Sequence, residues 1–336
     1  MSTRLATAAA TSRDAIDRRA SASAAARRAF GDSARYYLQQ TPRQLPSRFL
    51  YDALGSALFD AICHLPWYGI TRAECGLLAR HAGAIGRAIG SGGRIVELGC
   101  GNGEKLATLL THAGVSGAHA HLVDVSAPSL AHATQALGAI GWPDDRISSH
   151  HATYEDGLLA LPVDAAGTTL VAFLGSSVGN FDPPAAAALL RHTRAALRRG
   201  DALLLGADLV KPERDLQLAY DDPLGLTAAF NKNLLQRLNT ELGANVVLDR
   251  FAHRAVWNRA ASRVEMHLVS LTAQTVVVPG AGLRFTLDEG EAIWTESSYK
   301  YEPTELRRLV ETAAFVQAQQ WIDESARFAL TLFEAA

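Results

Sequence analysis

Long apolar runs, a basic excess and paired cysteines are all missing from this chain of 336 residues. No run approaches the roughly 18 apolar residues of a membrane-spanning helix, so we expect no membrane partner. The formal net charge of −2 argues against a nucleic-acid partner, which would favour a basic excess. The composition, 48% hydrophobic and 20% charged, is ordinary for a globular protein and allows one large domain or two modest ones.

Cysteine is scarce and shows no metal-ligand pattern. Cys63, Cys75 and Cys100 lack the spacing of a metal site, and three cysteines cannot all pair with one another. Such usage fits a reducing compartment, so we expect a cytoplasmic protein without a metal. We also expect a monomer whose partner is a small molecule.

The first 33 residues differ in composition from the rest of the chain. They are rich in Ala, Ser, Thr and Arg, contain no glutamate, and have Asp14, Asp17 and Asp32 as their only acids. An organelle transit peptide has such a composition, but a frayed bacterial N-terminus is the simpler interpretation. We therefore expect residues 1–33 to form a flexible leader.

Residues 94–105 (RIVELGCGNGEK) carry the clearest local pattern. An apolar run containing one acid, Glu97, leads into glycines at alternate positions, and a helix-like segment follows. Strand, glycine turn and helix in this order let the backbone approach a nucleotide-like ligand closely. Glu104 occupies the third glycine position of a dinucleotide-binding turn, and no Lys-Ser/Thr pair follows, so a phosphate-binding loop is excluded.

A second acid is expected at the end of the next strand, where it would bind ribose hydroxyls. Residues 119–125 (HAHLVDV) supply Asp124, about the distance downstream that this rule expects. An acid ahead of a GxG turn, with a second acid after the next strand, resembles the class I S-adenosylmethionine methyltransferases. From these residues alone, a nicotinamide-binding fold and a chance turn in an α/β protein stay open.

Apolar runs alternate with helix-like segments through the middle of the chain. This alternation predicts an α/β protein with a doubly wound parallel sheet, the Rossmann-like class I methyltransferase fold. The predicted strands are residues 94–98, 119–125, 146–152, 168–174 and 202–210, and the predicted helices are residues 74–89, 128–139, 158–161 and 185–197.

Two further parts of the chain depart from this pattern. Aromatic residues and prolines crowd residues 35–74, which predicts short helices that cover the sheet instead of joining it. A helical segment at residues 215–242 and strand-like segments at 256–278 and 283–300 predict an insertion that a helix and a strand follow, at 303–313 and 327–333. We therefore predict a substrate-binding accessory domain of residues 34–72 and 210–300, and a methyltransferase domain of residues 73–209 and 301–336.

Seven sequence blocks, which extend over nearly the whole chain from about residue 36, resemble the histidine Nα-methyltransferase family of ergothioneine biosynthesis. They are SRFLYDALGSALFDAICHLPWYGITRAE, VELGCGNGEK, FLGSSVGNF, LLGADLV, AYDDPLGLTAAFNKN, WN…RVEMHL and TESSYK. The blocks fall in both the sheet and the insertion, so a shared methyltransferase fold alone does not account for them. The resemblance implies three successive methyl transfers from S-adenosylmethionine to the α-amino nitrogen of L-histidine, which give hercynine.

The resemblance also implies two sets of site residues. Gly99, Lys105 and Asp124 match family positions that hold S-adenosylmethionine, and we expect Glu97 and Gly101 of the glycine turn, with Thr153 and Tyr154, to complete that site. Positions expected to hold histidine are Tyr51, Tyr68, Asn180, Tyr220, Met266, Glu296 and Ser298.

The residue types of the second set suit histidine. The Asn180 amide and the Tyr220 hydroxyl are neutral donors fit for a carboxylate. Glu296 can accept from an imidazole N–H, and Ser298 can partner the other ring nitrogen. An unpaired buried polar group costs about 1–3 kcal/mol, so this pair would reject amino acids that lack the ring nitrogens. From the residues alone, Asn180 is equally a turn former and Met266 equally a core residue.

Two departures from the family pattern concern the cofactor side. Thr153-Tyr154 stands where the family tends to have an Asp-Phe pair at the adenine, so we expect an uncharged acceptor and weaker cofactor binding. The glycine turn reads GCGNG instead of the more usual GSGTS. No residue is expected to act as a dedicated base. The same fold acting on another amino acid such as tryptophan, and a non-catalytic adenosylmethionine-binding regulator, are the alternatives.

Overall fold

The computed structural model describes residues 24–162 and 167–336. Among these described residues, no helix is long and apolar enough to cross a membrane. The contacts of the chain divide it into two compact units. The first unit comprises residues 24–50, Ala228–Arg254 and His267–Glu296, and the second comprises Tyr51–Thr227, Ala255–Met266 and Ser297–Ala336.

Helices and strands alternate up to residue 242, and strands then dominate up to residue 299. The elements are α1 (24–38), β1 (Arg43–Gln44), α2 (Ala53–Cys63), α3 (Ile70–Ile89), β2 (Arg94–Leu98), α4 (Glu104–Ala113), β3 (His119–Asp124), α5 (Ala127–Ala139), β4 (Ile147–His151), α6 (Tyr154–Leu159), β5 (Thr169–Phe173), α7 (Pro183–Ala195), β6 (Ala202–Asp208), α8 (Glu213–Tyr220), α9 (Leu226–Leu242), β7 (Phe251–Asn258), β8 (Arg263–Ser270), β9 (Gln274–Val278), β10 (Leu283–Leu287), β11 (Ala292–Tyr299), α10 (Pro303–Glu311), β12 (Phe315–Asp323) and β13 (Phe328–Ala335).

The second unit contains a seven-stranded sheet with the order β12-β13-β6-β5-β2-β3-β4. The five strands from β6 to β4 are parallel, and β13 is antiparallel to both of its neighbours. Strands β2 and β5 are buried along their whole length, as central strands covered on both faces are. This arrangement confirms the predicted α/β fold of the class I methyltransferase type.

The order of the strands reverses beside β2, since β3 lies on one side of it and β5 on the other. In open α/β sheets, ligands bind beyond the carboxyl ends of the strands at such a point. Those ends lead here into residues 99–105, 124–126 and 174–180. The candidate site is therefore built from these three segments.

The first unit contains α1, the antiparallel pair of β9 and β10, and parts of a four-stranded sheet with the order β1-β11-β8-β7. Residues 24–33 belong to α1, so the prediction of a flexible leader is wrong for them, whereas residues 1–23 lie outside the described residues. The physical reason is Phe30, which is 1% exposed, because its ring centroid lies 4.6 Å from that of Phe49.

One predicted element needs correction, and one strand was missed. The single helix predicted at residues 215–242 is two helices, α8 and α9, because the sequence Asp-Asp-Pro-Leu-Gly interrupts it. Strand β12 was not predicted at all, and it forms a hairpin with β13 at the edge of the sheet. The contact-based units also have other boundaries than the predicted domains, since residues 51–72 and 210–227 lie in the second unit.

Candidate functional site

The glycine turn after β2 needs glycine for its conformation and for space. Gly99, Gly101 and Gly103 have φ values of 74°, 52° and 79°, in the left-handed region that L side chains avoid. A Cβ atom on Gly103 would lie 2.6 Å from Ala133 Cα, and one on Gly99 would lie 2.9 Å from Tyr154 Oη. The turn therefore holds α4 close to α5 and leaves bare backbone at the end of β2.

Asp124, at the end of β3, holds this turn in place. Its Oδ2 accepts a hydrogen bond from the Gly101 N–H at 3.1 Å, and its Oδ1 accepts from the Ser126 N–H at 2.8 Å. Burial raises the pKa of Asp124, and these backbone donors oppose the rise. A carboxylate accepts up to four hydrogen bonds, so Asp124 keeps acceptor capacity for a ligand.

Glu97, the acid within β2, is buried with too few hydrogen-bond donors around its carboxyl group. It is 2% exposed, and its Oε2 accepts no hydrogen bond from any residue that the structure describes. Burial raises the pKa of Glu97 to about 8, and the Lys105 ammonium opposes the rise. Because a buried acceptor without a partner is costly, this carboxylate suits a ligand that brings hydroxyl or ammonium donors.

Lys105 is oriented by a residue that sequence reasoning missed, Glu74 of α3. The Glu74 side chain is fully buried, its Oε2 lies 4.0 Å from Lys105 Nζ, and the same oxygen accepts from the Gly175 N–H at 2.8 Å. Burial raises the pKa of Glu74 to about 7, and Lys105 and the Gly175 N–H oppose the rise. Burial would lower the pKa of Lys105, but the acidic groups around it, Glu74 first among them and Glu97 included, together outweigh burial and raise the pKa. The sequence signal that could have identified Glu74 is its place at the end of the block HLPWYGITRAE.

Thr153 and Tyr154 begin α6 beyond β4. The Thr153 hydroxyl caps the helix, since it accepts from the Asp156 N–H at 3.2 Å and donates to Asp156 Oδ2 at 3.0 Å. The Tyr154 ring packs against Phe173 and Phe181, with centroid distances of 5.3 and 6.1 Å. Thr153 is thus already engaged within α6, and Tyr154 lines the glycine turn.

The structure brings together the tyrosines that the sequence assigns to histidine. An aromatic row runs from Tyr51 through Phe59 and Tyr68 to Tyr220, with centroid distances of 5.5, 6.1 and 6.5 Å. At its end the Tyr220 hydroxyl donates to Ser298 Oγ at 2.8 Å. Residues 51–68, α8 and β11 are three segments distant from one another in sequence, and this row of rings brings them together.

Asn180 lies at the end of a short turn after β5 that is packed tightly in place. A Cβ on Gly179 would lie 2.7 Å from the Tyr299 carbonyl oxygen, so this position has no room for a side chain. The Ser176 hydroxyl, at the start of the turn, accepts from the Asp208 N–H at 2.9 Å. The half-buried Asn180 is thereby anchored between the ends of β6 and β11.

The last two candidates lie within strands. Met266 is 1% exposed and belongs to the buried face of β8. Glu296 is 9% exposed, and it shares a face of β11 with Ser298, because residues two apart in a strand point to the same side. The backbone carbonyl of Glu296 accepts from Trp294 Nε1 at 2.8 Å.

A family model described as a histidine-specific, S-adenosylmethionine-dependent methyltransferase matches residues 30–335. Two curated relatives, the histidine N-alpha-methyltransferases of Mycolicibacterium smegmatis and Mycobacterium tuberculosis, are 39% and 38% identical to this chain over 297 residues, which cover 88% of this chain and 91% of each relative. Ergothioneine biosynthesis protein 1 of Neurospora crassa is 30% identical over 288 residues, which cover 83% of this chain and 32% of that protein.

Proposed function

Because the chain belongs to the family of histidine-specific, S-adenosylmethionine-dependent methyltransferases, we infer that it methylates the α-amino nitrogen of L-histidine in ergothioneine biosynthesis. The family implies three transfers in succession, which give hercynine. The observation that carries the inference is the match of the family model to residues 30–335, a range that includes every candidate residue of both sites. A cytoplasmic location, a monomeric state and the lack of a metal stay predictions.

For the cofactor, we propose that the ribose and amino-acid parts of S-adenosylmethionine bind along the glycine turn. The residues present fit this ligand, because Glu97 has a buried oxygen without a donor and Asp124 has acceptor capacity left. Lys105 would contact the carboxylate, and Gly99 and Gly101 would admit the ligand to bare backbone. Tyr154 and Thr153 would lie at the adenine, where Thr153 must share its hydroxyl with Asp156.

For the substrate, we propose that Asn180 and Tyr220 bind the carboxylate of histidine and that Tyr68 and Tyr51 line its other faces. Glu296 would accept from the imidazole N–H, Ser298 would donate to the second ring nitrogen, and Met266 would form an apolar wall. The Tyr220 hydroxyl donates to Ser298 Oγ at 2.8 Å, so the two hydroxyls are close enough to serve one ligand, and Tyr220 would turn its O–H from Ser298 to the carboxylate on binding.

The reaction we propose is an in-line displacement. S-adenosylmethionine supplies a methyl group that its sulfonium already activates. The protein therefore contributes alignment and exclusion of water, which can lower such a barrier by several kcal/mol. The amine must be neutral to attack, and solvent can take its proton, so we assign no residue as a base.

One incubation tests the proposal. The protein is mixed with S-adenosylmethionine and all twenty amino acids, and the products are read by mass spectrometry. We expect histidine alone to gain one, two and then three methyl groups. If another amino acid such as tryptophan is labelled, the substrate assignment fails and the fold and cofactor stand. If none is labelled although adenosylmethionine binds in calorimetry, the protein is a non-catalytic binder.

Replacing Glu296 tests the imidazole contact. We expect Glu296→Ala to weaken histidine binding about 10- to 100-fold, because an imidazole N–H then loses a charged acceptor. Adenosylmethionine binding should persist, and calorimetry with each ligand measures both. Unchanged histidine affinity would show that the imidazole does not contact Glu296.

A further inference from the structure

Lys300, the residue directly after β11, is a lysine whose ammonium group is completely enclosed. Its side chain is 0% exposed, and Nζ lies 2.8 Å from Asp208 Oδ2. The same atom donates to Tyr220 Oη at 2.8 Å and to Ser298 Oγ at 3.0 Å. A lysine ammonium has three N–H donors, so these contacts use all of them.

Lys300 remains charged in this setting. Burial alone would lower its pKa, but the Asp208 carboxylate and the Tyr220 hydroxyl raise it above its ordinary value. Asp208 is 1% exposed, and its backbone N–H is fixed by Ser176 Oγ at 2.9 Å. The cation is therefore held on a rigid anchor at the end of β6.

This cation determines what the two hydroxyls can still do. Tyr220 Oη accepts a hydrogen bond from Lys300, and its own O–H donates to Ser298 Oγ at 2.8 Å. Ser298 Oγ accepts from both Lys300 and Tyr220, so its own O–H is the group left for a ligand. Each hydroxyl has one proton: Ser298 offers its O–H to a ligand, and Tyr220 can offer its own only by turning it away from Ser298. Because Lys300 occupies a lone pair on both oxygens, the pair serves a ligand as donors and has little capacity to accept.

A purely structural ion pair would not need this arrangement. A buried ion pair is by itself weak evidence for a stabilising role, because desolvation offsets much of the attraction. Here two of the three ammonium donors go to hydroxyls of the candidate substrate set, not to acids. Lys211 offers a contrast, because its Nζ lies 2.6 Å from Asp208 Oδ1 and donates a hydrogen bond to the Ala326 carbonyl.

We propose that Lys300, anchored by Asp208, is a positioning residue that makes Tyr220 and Ser298 hydrogen-bond donors and thereby selects an amino acid presenting acceptors to them. The proposal rests on the proposed function. The acceptors are the carboxylate and the unprotonated nitrogen of a neutral imidazole. Substrates that bring donors to this point, such as a protonated imidazole, are disfavoured.

The test compares Lys300→Met with Lys211→Met, which removes a charge from the same Asp208 carboxylate but no hydrogen bond to either hydroxyl. We expect Lys300→Met to raise the KM for histidine by about 10- to 100-fold, as expected for lost hydrogen bonds to a charged group. The Kd for adenosylmethionine should stay within about 3-fold, and Lys211→Met should raise the histidine KM by less than about 5-fold.

Two readouts separate positioning from a loss of structure. Histidinamide carries a neutral amide in place of the carboxylate, and the preference of the wild type for histidine over it should shrink in Lys300→Met. In the Ser298→Ala background, Lys300→Met should raise the histidine KM by a clearly smaller factor than in the wild type, because substitutions of residues that act together are not additive in their effects. If Lys300→Met does not fold, Lys300→Gln is measured in the same way.

A histidine KM within about 3-fold of wild type in a folded Lys300 variant would overturn the inference, and so would additive effects with Ser298→Ala. The wild-type reaction tests the proposed function separately. If the wild type labels another amino acid, the proposed function fails, and the same variants, measured with that amino acid and its amide, decide the inference.

Discussion

Glu97 lies in β2 with 2% exposure, and its Oε2 accepts no hydrogen bond from the described residues. Its pKa is raised to about 8, so the carboxyl is largely protonated at neutral pH without a ligand. Hydroxyl or ammonium donors of a bound ligand favour the ionised form. At this residue, ligand binding and proton release are therefore linked.

We predict that adenosylmethionine binding strengthens as the pH rises towards about 8 and then levels off, with release of a proton in calorimetry below that pH. Lys105, Glu74 and Asp124 face the same carboxyl, and Glu74 titrates near 7, so it adds to the effect. Glu97→Gln should bind more weakly and with a flatter pH profile. A wild-type affinity that does not change between pH 6 and about 9 would contradict this.

The raised pKa of Glu97 also determines how the free energy of unfolding changes with pH. The folded protein holds the Glu97 proton more tightly than the unfolded chain, whose pKa is near 4.5. The contribution of Glu97 to the free energy of unfolding is therefore largest below about 4.5, falls as the pH rises to about 8, and is constant above that. Urea unfolding of the ligand-free wild type and Glu97→Gln should show this difference in slope.

Glu74 provides a second prediction at this scale. Glu74→Gln keeps the shape but removes the charge that faces Lys105 at 4.0 Å, so we expect the Kd for adenosylmethionine to rise about 10-fold. Glu104→Gln is the matched control, since this exposed acid adjoins Lys105 in α4. Calorimetry at pH 8 measures both, and equal effects of the two variants would refute a special role for Glu74.

The residues that could be predicted from the sequence are those whose type is imposed by the local backbone conformation. Gly99 and Gly101 have positive φ values, and Asp124 caps their turn, so their spacing is visible in the sequence. Glu74 and Lys300 were not predicted, because a charged residue is usually solvated and no local pattern reports its burial. Their partners come from distant segments, which only the folded chain brings together.

At the scale of elements, the break between α8 and α9 depends on Asp222. This residue is 4% exposed and its carboxylate accepts from the backbone N–H groups of Leu224, Leu226 and Thr227 at 3.0, 3.2 and 2.7 Å. Burial would raise its pKa, but these donors outweigh it and lower the pKa. The helical periodicity of the flanking residues obscured this break in the sequence.

We predict that Asp222→Ala lowers the free energy of unfolding by about 1–2 kcal/mol, because it leaves the first N–H groups of α9 without an acceptor. Asp221→Ala, which removes the exposed neighbouring acid, should change it by less than about 0.5 kcal/mol. Since the pKa of Asp222 is lowered, its contribution is present above the unfolded pKa of 3.8 and is lost as the pH falls through the folded value. Urea titrations at pH 7 and pH 3 measure this.

Strand β12 shows why some elements escape prediction. Its sequence FVQAQQWID buries only Phe315 fully, since it pairs with β13 alone and lies at the edge of the sheet. An edge strand with polar side chains lacks the apolar run that identified β2 and β5. The central strands were predictable because both of their faces are covered.

At the scale of the whole molecule, the last strand lies in the interior of the sheet. Strand β13 pairs with β6 on one side and with β12 on the other. We predict that a chain ending at Arg327 does not reach a soluble folded state, because β6 then exposes an apolar edge. Glu334→Gln, at an exposed position of β13, should leave solubility unchanged. Near-UV circular dichroism like that of the full chain in the truncated protein would disprove this.

The position of β13 also determines how long β6 lacks a neighbouring strand while the chain is synthesised. About 120 residues separate the end of β6 from the start of β13, and at roughly 5–20 residues per second they take on the order of ten seconds to translate. During that interval β6 lacks one of its two neighbours, and its open edge is a surface that a chaperone or another nascent chain can bind. A premature stop codon near the end of the gene would therefore remove the enzyme altogether instead of producing a slightly shorter one.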